Sequence, residues 1–169
     1  MPDQLNGKVD AAREPVQQEG SGAWRVTPAL GMVLLDTLGL EASIEWHLHR
    51  CLKVTGIPFE LAVNNAAGFD LSEDYAATIF DIYSEALSNV ARHADADHVA
   101  VALTITPQKV TLVVRDNGLG LGEGASRSKR GGIAGMRARA QSHDGVCEFA
   151  GARNAGTTVT VSLPIRRAA

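Results

Sequence analysis

The chain changes rhythm several times along its length. Residues 1 to about 23, "MPDQLNGKVDAAREPVQQEGSGA", are polar and carry no apolar period, the composition of a disordered leader or linker. A domain is expected over 24–166. Its first stretch reads as a loop, then a helix over about 40–54 that Gly56 and Pro58 stop. "FELAV" alternates as a strand does. A second helix is expected over about 72–94, opened by "SEDY", where Ser72 can cap and the acids suit a helix N-terminus. "HVAVALTITP" and "KVTLVVRDN" read as a hairpin turning at about 107–109. A glycine- and base-rich loop then runs over about 118–132, followed by a short helix to about Ser142. "VCEFAGA" and "GTTVTVSLP" are two last strands with a turn between them. This is an α+β order, with helices collected on one face of a largely antiparallel sheet.

Composition narrows the classes without choosing among them. At 45% apolar and 21% charged residues the chain is an ordinary globular one, and 169 residues suffice for one domain with a tail. A net charge of -3 gives no support to a nucleic-acid surface. No run approaches the roughly 20 apolar residues of a membrane span, and the start is no signal peptide. The expectation is a cytoplasmic chain without membrane contact of its own. Cys51 and Cys147 lack metal-ligand spacing and read as small core residues rather than a disulfide.

The second helix raises a chemical question. Ile79, Ile82, Tyr83, Ala86, Leu87, Val90 and Ala94 form one apolar stripe, and Asp81, Ser84, Ser88 and Arg92 fall on the opposite, solvated face. Glu85, Asn89 and His93 run along the border between them, each about 6 Å further along the axis and rotated about 40°. Such a border suits the edge of a cleft. There an acid can take a proton, an amide oxygen can ligate a hard cation and an imidazole can meet phosphate. Stray polar residues at a solvated helix margin would look the same.

Three later segments carry further signals. "RDNGLGL" places Asp116, Gly118 and Gly120 at a strand end. The carboxylate can accept a hydrogen bond from an exocyclic amine such as adenine's, and the glycines let the backbone approach a ring or phosphate. Turn chemistry is the plain alternative. The loop and helix "GEGASRSKRGGIAGMRARA" hold Arg127, Lys129, Arg130, Arg137 and Arg139, and glycines at 131, 132 and 135 open a helix whose free amides suit phosphate. A charged surface loop would read alike. "GTTVTVSLP" starts a strand with Gly156, Thr157 and Thr158.

Taken in this order, "EALSNVARHA", "DNGLGL", "GGIAGMRARA" and "GTTVTVSLP" resemble the catalytic and ATP-binding domain of sensor histidine kinases. That domain belongs to the superfamily shared with gyrase, the ninety-kilodalton heat-shock chaperone and mismatch-repair ATPases. Leu35 to Leu40, Glu45-Trp46 and Thr55 to Ile57 resemble the subfamily that includes nitrate sensors. The likeness implies the Bergerat fold, a two-layer α/β sandwich with a mixed, mostly antiparallel sheet. It also implies ATP and Mg²⁺ as ligands, with Asn89 on the metal and Glu85 assisting deprotonation or orientation of the attacking group. His93 would lie near the phosphates, and Asp116 would bind the adenine amine, directly or with a water shared with Thr157 or Thr158. Gly118, Gly120, Gly132 and Gly135 would form the hinge and phosphate edge of a lid, expected to be mobile over about 119–130 without nucleotide.

The implied activity is transfer of the ATP γ-phosphate to a histidine on a dimerisation domain. The implied partners are that domain, a response regulator and a second copy in a homodimer, with no nucleic acid. The sequence departs from the family at "DIYS" before Glu85, where relatives tend to have Arg-Ile-x-Gln, and at Arg130, where the first lid glycine is expected. No helical segment bearing a phosphoaccepting histidine is present. His47 and His49 lie inside the ATP-domain match and are expected to be surface or half-buried. A free-standing serine kinase of the anti-sigma-factor type and a nucleotide-binding interaction module are the alternative readings.

Overall fold

The computed structural model describes residues 26–122 and 131–166. The leader expected over 1–23 lies outside them, as do Arg127, Lys129, Arg130 and most of the segment expected to be a mobile lid. The elements run α1 (Pro28–Thr55), β1 (Phe59–Asn64), α2 (Glu73–Asn89), a π-helical turn (Val90–Ala94), β2 (Val99–Ile105), β3 (Lys109–Asp116), α3 (Gly131–Gln141), β4 (Val146–Gly151) and β5 (Thr157–Pro164).

The five strands lie in the order β1-β2-β3-β5-β4. β1 pairs with β2 in parallel and the remaining pairs are antiparallel. α2 makes the crossover between the two parallel strands, which a tight turn cannot join. Alternation decides which face is covered. Val99, Val101, Leu103 and Ile105 of β2 are buried, as are Val110, Leu112 and Val114 of β3 and Val159, Val161 and Leu163 of β5. The residues between them, such as Ala102, Thr104 and Thr160, are only half-buried. The helices therefore pack on one face, as expected, and the whole expected stripe of α2 from Ile79 to Ala94 is buried.

Three expectations need correction. α1 begins at Pro28, not near residue 40, and is broken within at Gly39 (φ 76°, ψ 173°). Thr27 caps it by accepting a hydrogen bond from the Leu30 N–H (3.2 Å), with Pro28 in the first turn. The glycine at 31, which suggests a loop, is instead a packing position against the Phe80 ring. Ser84 and Ser88 are not on a solvated face either: Ser88 is 4% exposed, and the Ser84 hydroxyl is buried without a partner among the described residues. α2 packs against both α1 and α3, while Asp81 on its outer side stays exposed as expected.

His49 is exposed and pairs with Glu45, as expected of a surface residue. His47 is fully buried, against expectation. Its Nδ1 lies 3.0 Å from the Tyr83 hydroxyl and its Nε2 3.5 Å from Cys51 Sγ, so α1 and α2 meet through a polar cluster inside the core.

Cys51 and Cys147 are both buried and no disulfide joins them. Burial pushes the Cys51 thiol up to about 12 against the small opposing pull of Arg50. Burial likewise raises Cys147 to about 11, with Arg137 lowering it and Glu148 raising it. Each folded thiol thus keeps its proton above pH 9.0, where the unfolded chain loses it. The stabilisation is complete below pH 9.0 and is lost as pH rises toward 11 and 12. Melting temperature is expected to fall across that window. Iodoacetamide at pH 8.5 is expected to label neither thiol until the chain is denatured, and prompt labelling of the native chain would contradict the burial.

Candidate functional site

The α-helical ladder of α2 ends at Asn89 and the next five residues form a π-helical turn closed by Asp95 at φ 47°. A wider turn advances fewer degrees per residue, so it takes back part of the roughly 40° drift that a four-residue step gives in an α-helix. Asn89 and His93 consequently line the same cleft, beside the buried Ala86, Val90 and Ala94. Asn89 is half-buried and His93 is exposed at the rim.

The floor of this cleft, which holds about 410 Å³, comes from the sheet: Val114, Asp116, Thr157 and Val159. Asp116 ends β3 opposite Thr157 on β5 and is 6% exposed. Its Oδ1 accepts from the Gly118 N–H (2.9 Å) and from the Thr157 N–H (3.3 Å). Both of its hydrogen bonds among the described residues use that oxygen, and neither uses Oδ2. The chain after Asp116 is pinned on both sides. The Leu119 N–H donates to the Ala94 carbonyl (2.6 Å) and the Gly156 N–H to the Gly118 carbonyl (2.9 Å). Gly118 lies so close to the Ala94 carbonyl that a side chain there would overlap it. Gly120 lines the cleft with φ +76°, a conformation that disfavours a side chain.

The far wall is the start of α3, where Gly132 and Ile133 face the cleft. Glu85 does not line the cleft but abuts Gly132, whose missing side chain makes room for its carboxylate. Arg92 Nη2 donates to Glu85 Oε1 (3.4 Å) and to Asn89 Oδ1 (3.5 Å). These two oxygens already share a cation, and oxygen donors of this kind are what Mg²⁺ takes. Among the described residues no three His, Cys, Asp or Glu side chains gather around a metal position. A bound cation would therefore need ligand oxygens, such as phosphates, to complete its shell.

Of the residues picked out from sequence, Asn89, His93, Asp116, Gly120, Gly132 and Thr157 line one cleft, and Glu85 and Gly118 support its edges. Gly135 lies one turn further into α3 and Thr158 one strand position beyond Thr157; neither lines the cleft. Thr158 falls on the opposite face of the sheet by the alternation of β5. Arg92 is exposed, as expected of the solvated face, and its spacings of three from Asn89 and seven from Glu85 also place it beside both on a helix. Ile133 and Phe149 also line the cleft. Their apolar character reads as core in any sequence, and only the tertiary arrangement brings them there.

The chain matches the family of histidine kinase-, DNA gyrase B-, and HSP90-like ATPases over residues 75–167. It belongs to that family. It is 28% identical over 163 residues to the signal transduction histidine-protein kinase/phosphatase DegS of Brevibacillus brevis, covering 96% of this chain and 42% of that protein. To the sensor histidine kinase LiaS of Bacillus subtilis it is 33% identical over 133 residues, 79% of this chain and 36% of that protein. The nitrate/nitrite sensor protein NarX of Escherichia coli is 40% identical over 88 residues, 52% of this chain and 15% of its own length. The chain thus spans less than half the length of these relatives. Its fold is similar to the histidine kinase domain of a blue-light activated histidine kinase from Erythrobacter litoralis, at TM-score 0.66 and 20% identity over 94% of this chain and 80% of that one. No helix among the described residues is long and apolar enough to cross a membrane.

Proposed function

We propose that this chain is the ATP-binding catalytic part of a two-component sensor histidine kinase, and that it transfers the ATP γ-phosphate to a histidine carried on a separate dimerisation domain. The observation that carries the reading is the single cleft built by Asn89, His93, Asp116, Gly120, Gly132 and Thr157, which are spread over four distant stretches of sequence. Asp116 Oδ2 would accept from the adenine amine while Oδ1 keeps its two backbone donors. His93 at the rim and the amides at the start of α3 would meet the phosphates. Asn89 would hold Mg²⁺ together with phosphate oxygens. When bound, the cation neutralises phosphate charge and fixes the geometry of the triphosphate.

Glu85, beside Gly132 at the edge of the cleft, would take or orient the proton of an attacking imidazole. Arg92 keeps that carboxylate turned toward Asn89. Positioning and charge neutralisation would supply most of the acceleration. The phosphohistidine would then serve a response regulator, and the full-length protein would act as a homodimer in the cytoplasm.

The test is calorimetric titration of the chain with ATP, with and without Mg²⁺, followed by transfer from γ-labelled ATP to an added histidine-bearing dimerisation domain. Mg²⁺ is expected to tighten binding in the parent chain but not in Asn89→Ala, and acid-labile label is expected on the added domain. An absence of ATP binding under both conditions would refute the reading.

A further inference from the structure

Asp116 explains one edge of a bound base but not what closes the cleft at the opposite side. The strand register answers this. Val114 of β3 pairs with Val159 of β5, and Val159 pairs with Phe149 of β4. The three side chains therefore form one row on the covered face, with neighbouring strands about 4.8 Å apart. In the next row Asp116 pairs with Thr157, and Thr157 with Gly151, which has no side chain. β4 is the edge strand of the sheet. Phe149 is thus the last side chain on that wall, and it lines the cleft.

The ring is held from α3. The Arg137 guanidinium lies 5.0 Å from the Phe149 ring centroid, in the range of a cation–π contact. Arg137 does not itself line the cleft, whereas Ile133, one helical turn before it, does. The guanidinium accordingly covers the ring from outside the cleft. Phe149 extends the Val114 and Val159 floor to the sheet edge, Ile133 lines the cleft from α3, and Arg137 joins that helix to the ring.

We infer that Phe149, oriented by Arg137, is the aromatic wall of the base end of the cleft and sets the affinity for the purine ring of the nucleotide. The inference rests on the ATP reading above and adds to it the group that recognises the base by its π surface. Contact between an aromatic side chain and a base is tolerant of base identity, because every base has such a surface. Phe149 therefore governs affinity, while the polar edge at Asp116 governs which base is accepted. Arg137 is a positioning residue for the ring.

The experiment measures binding of ATP, ADP and inorganic tripolyphosphate to the parent chain, Phe149→Ala, Phe149→Leu and Arg137→Met, with melting curves for each. Phe149→Ala is expected to weaken ATP and ADP to the same extent, about ten-fold, and to leave tripolyphosphate unchanged. Phe149→Leu keeps most of the apolar volume without the π surface and is expected to weaken both nucleotides about three-fold. Arg137→Met, which keeps the stem but not the charge, is expected to give a smaller loss confined to the nucleotides. Nucleotide affinity equal to the parent's in a folded Phe149→Ala or, should that variant not fold, in Phe149→Leu would overturn the inference and leave the ATP reading standing. A loss shared by tripolyphosphate would overturn it too, because the effect would then not be on the base. A parent chain that binds none of the three would instead overturn the ATP reading itself, and the inference with it.

Discussion

Asp116→Asn is expected to fold like the parent and to bind ATP about 10- to 100-fold more weakly. The substitution separates the two jobs of one side chain. Oδ1 accepts from the Gly118 and Thr157 N–H groups inside the fold, and an asparagine oxygen can accept from both. The other carboxylate oxygen becomes an NH₂ group, which presents a donor to the adenine amine, itself a donor. A hydrogen bond to a charged acceptor is replaced by two opposed donors, and the local backbone is left intact. The same change favours a base with a carbonyl at that position, so discrimination between ATP and GTP is expected to narrow or reverse. Asp116→Ala is the less informative variant. It leaves one buried and one part-buried N–H group without an acceptor and mixes loss of binding with loss of the turn. Competition of ATP and GTP against a fluorescent nucleotide measures both effects, and an unchanged preference for ATP in Asp116→Asn would remove Asp116 from the base site.

Most of the architecture was legible because its signals are periodic. The burial stripe of α2, the alternation of β2, β3 and β5 and the hairpin turn near residue 107 all follow from where apolar side chains recur. The first half of α1 was not legible in this way. Its glycines at 31 and 39 suggest a loop, yet one packs against Phe80 and the other breaks the helix without ending it. The signal that could have found it is short: Thr27 followed by Pro28 is a cap and a first-turn proline.

The site divides along the same line. Polar residues in odd places, such as Asn89 and Asp116, stand out against an apolar background and could be picked from the sequence. Residues whose role comes only from being near something else could not. Arg92 is a solvated helix residue, and only the structure shows that it also contacts Glu85 and Asn89. Phe149 looks like any strand aromatic until the register sets it beside Val159. His47 shows the converse. A histidine in "EWHLHRC" invites a chemical reading, and burial against Tyr83 and Cys51 gives it a structural one.

That burial bears directly on the last expectation. The chain alone, incubated with γ-labelled ATP and Mg²⁺, is expected to gain no acid-labile label. His47 is sealed in the core and His49 sits on the exposed side of α1 facing Glu45, so neither is a histidine presented to the cleft. Added histidine-bearing domain is expected to become labelled, and Glu85→Gln to lower that rate by about 10² to 10⁴ while ATP affinity stays within a few-fold. The substitution preserves the volume that fits against Gly132, and an amide oxygen can still accept from Arg92. What it removes is the capacity to take a proton and the negative charge beside Asn89. A structural role for Glu85 predicts something different: a lowered melting temperature and weaker ATP binding, with transfer falling only in proportion. Measuring affinity, melting and single-turnover transfer on the same preparation separates the two. Transfer by Glu85→Gln at the parent rate would exclude Glu85 as the base, and label on His49 of the chain alone would mean that this chain supplies its own acceptor.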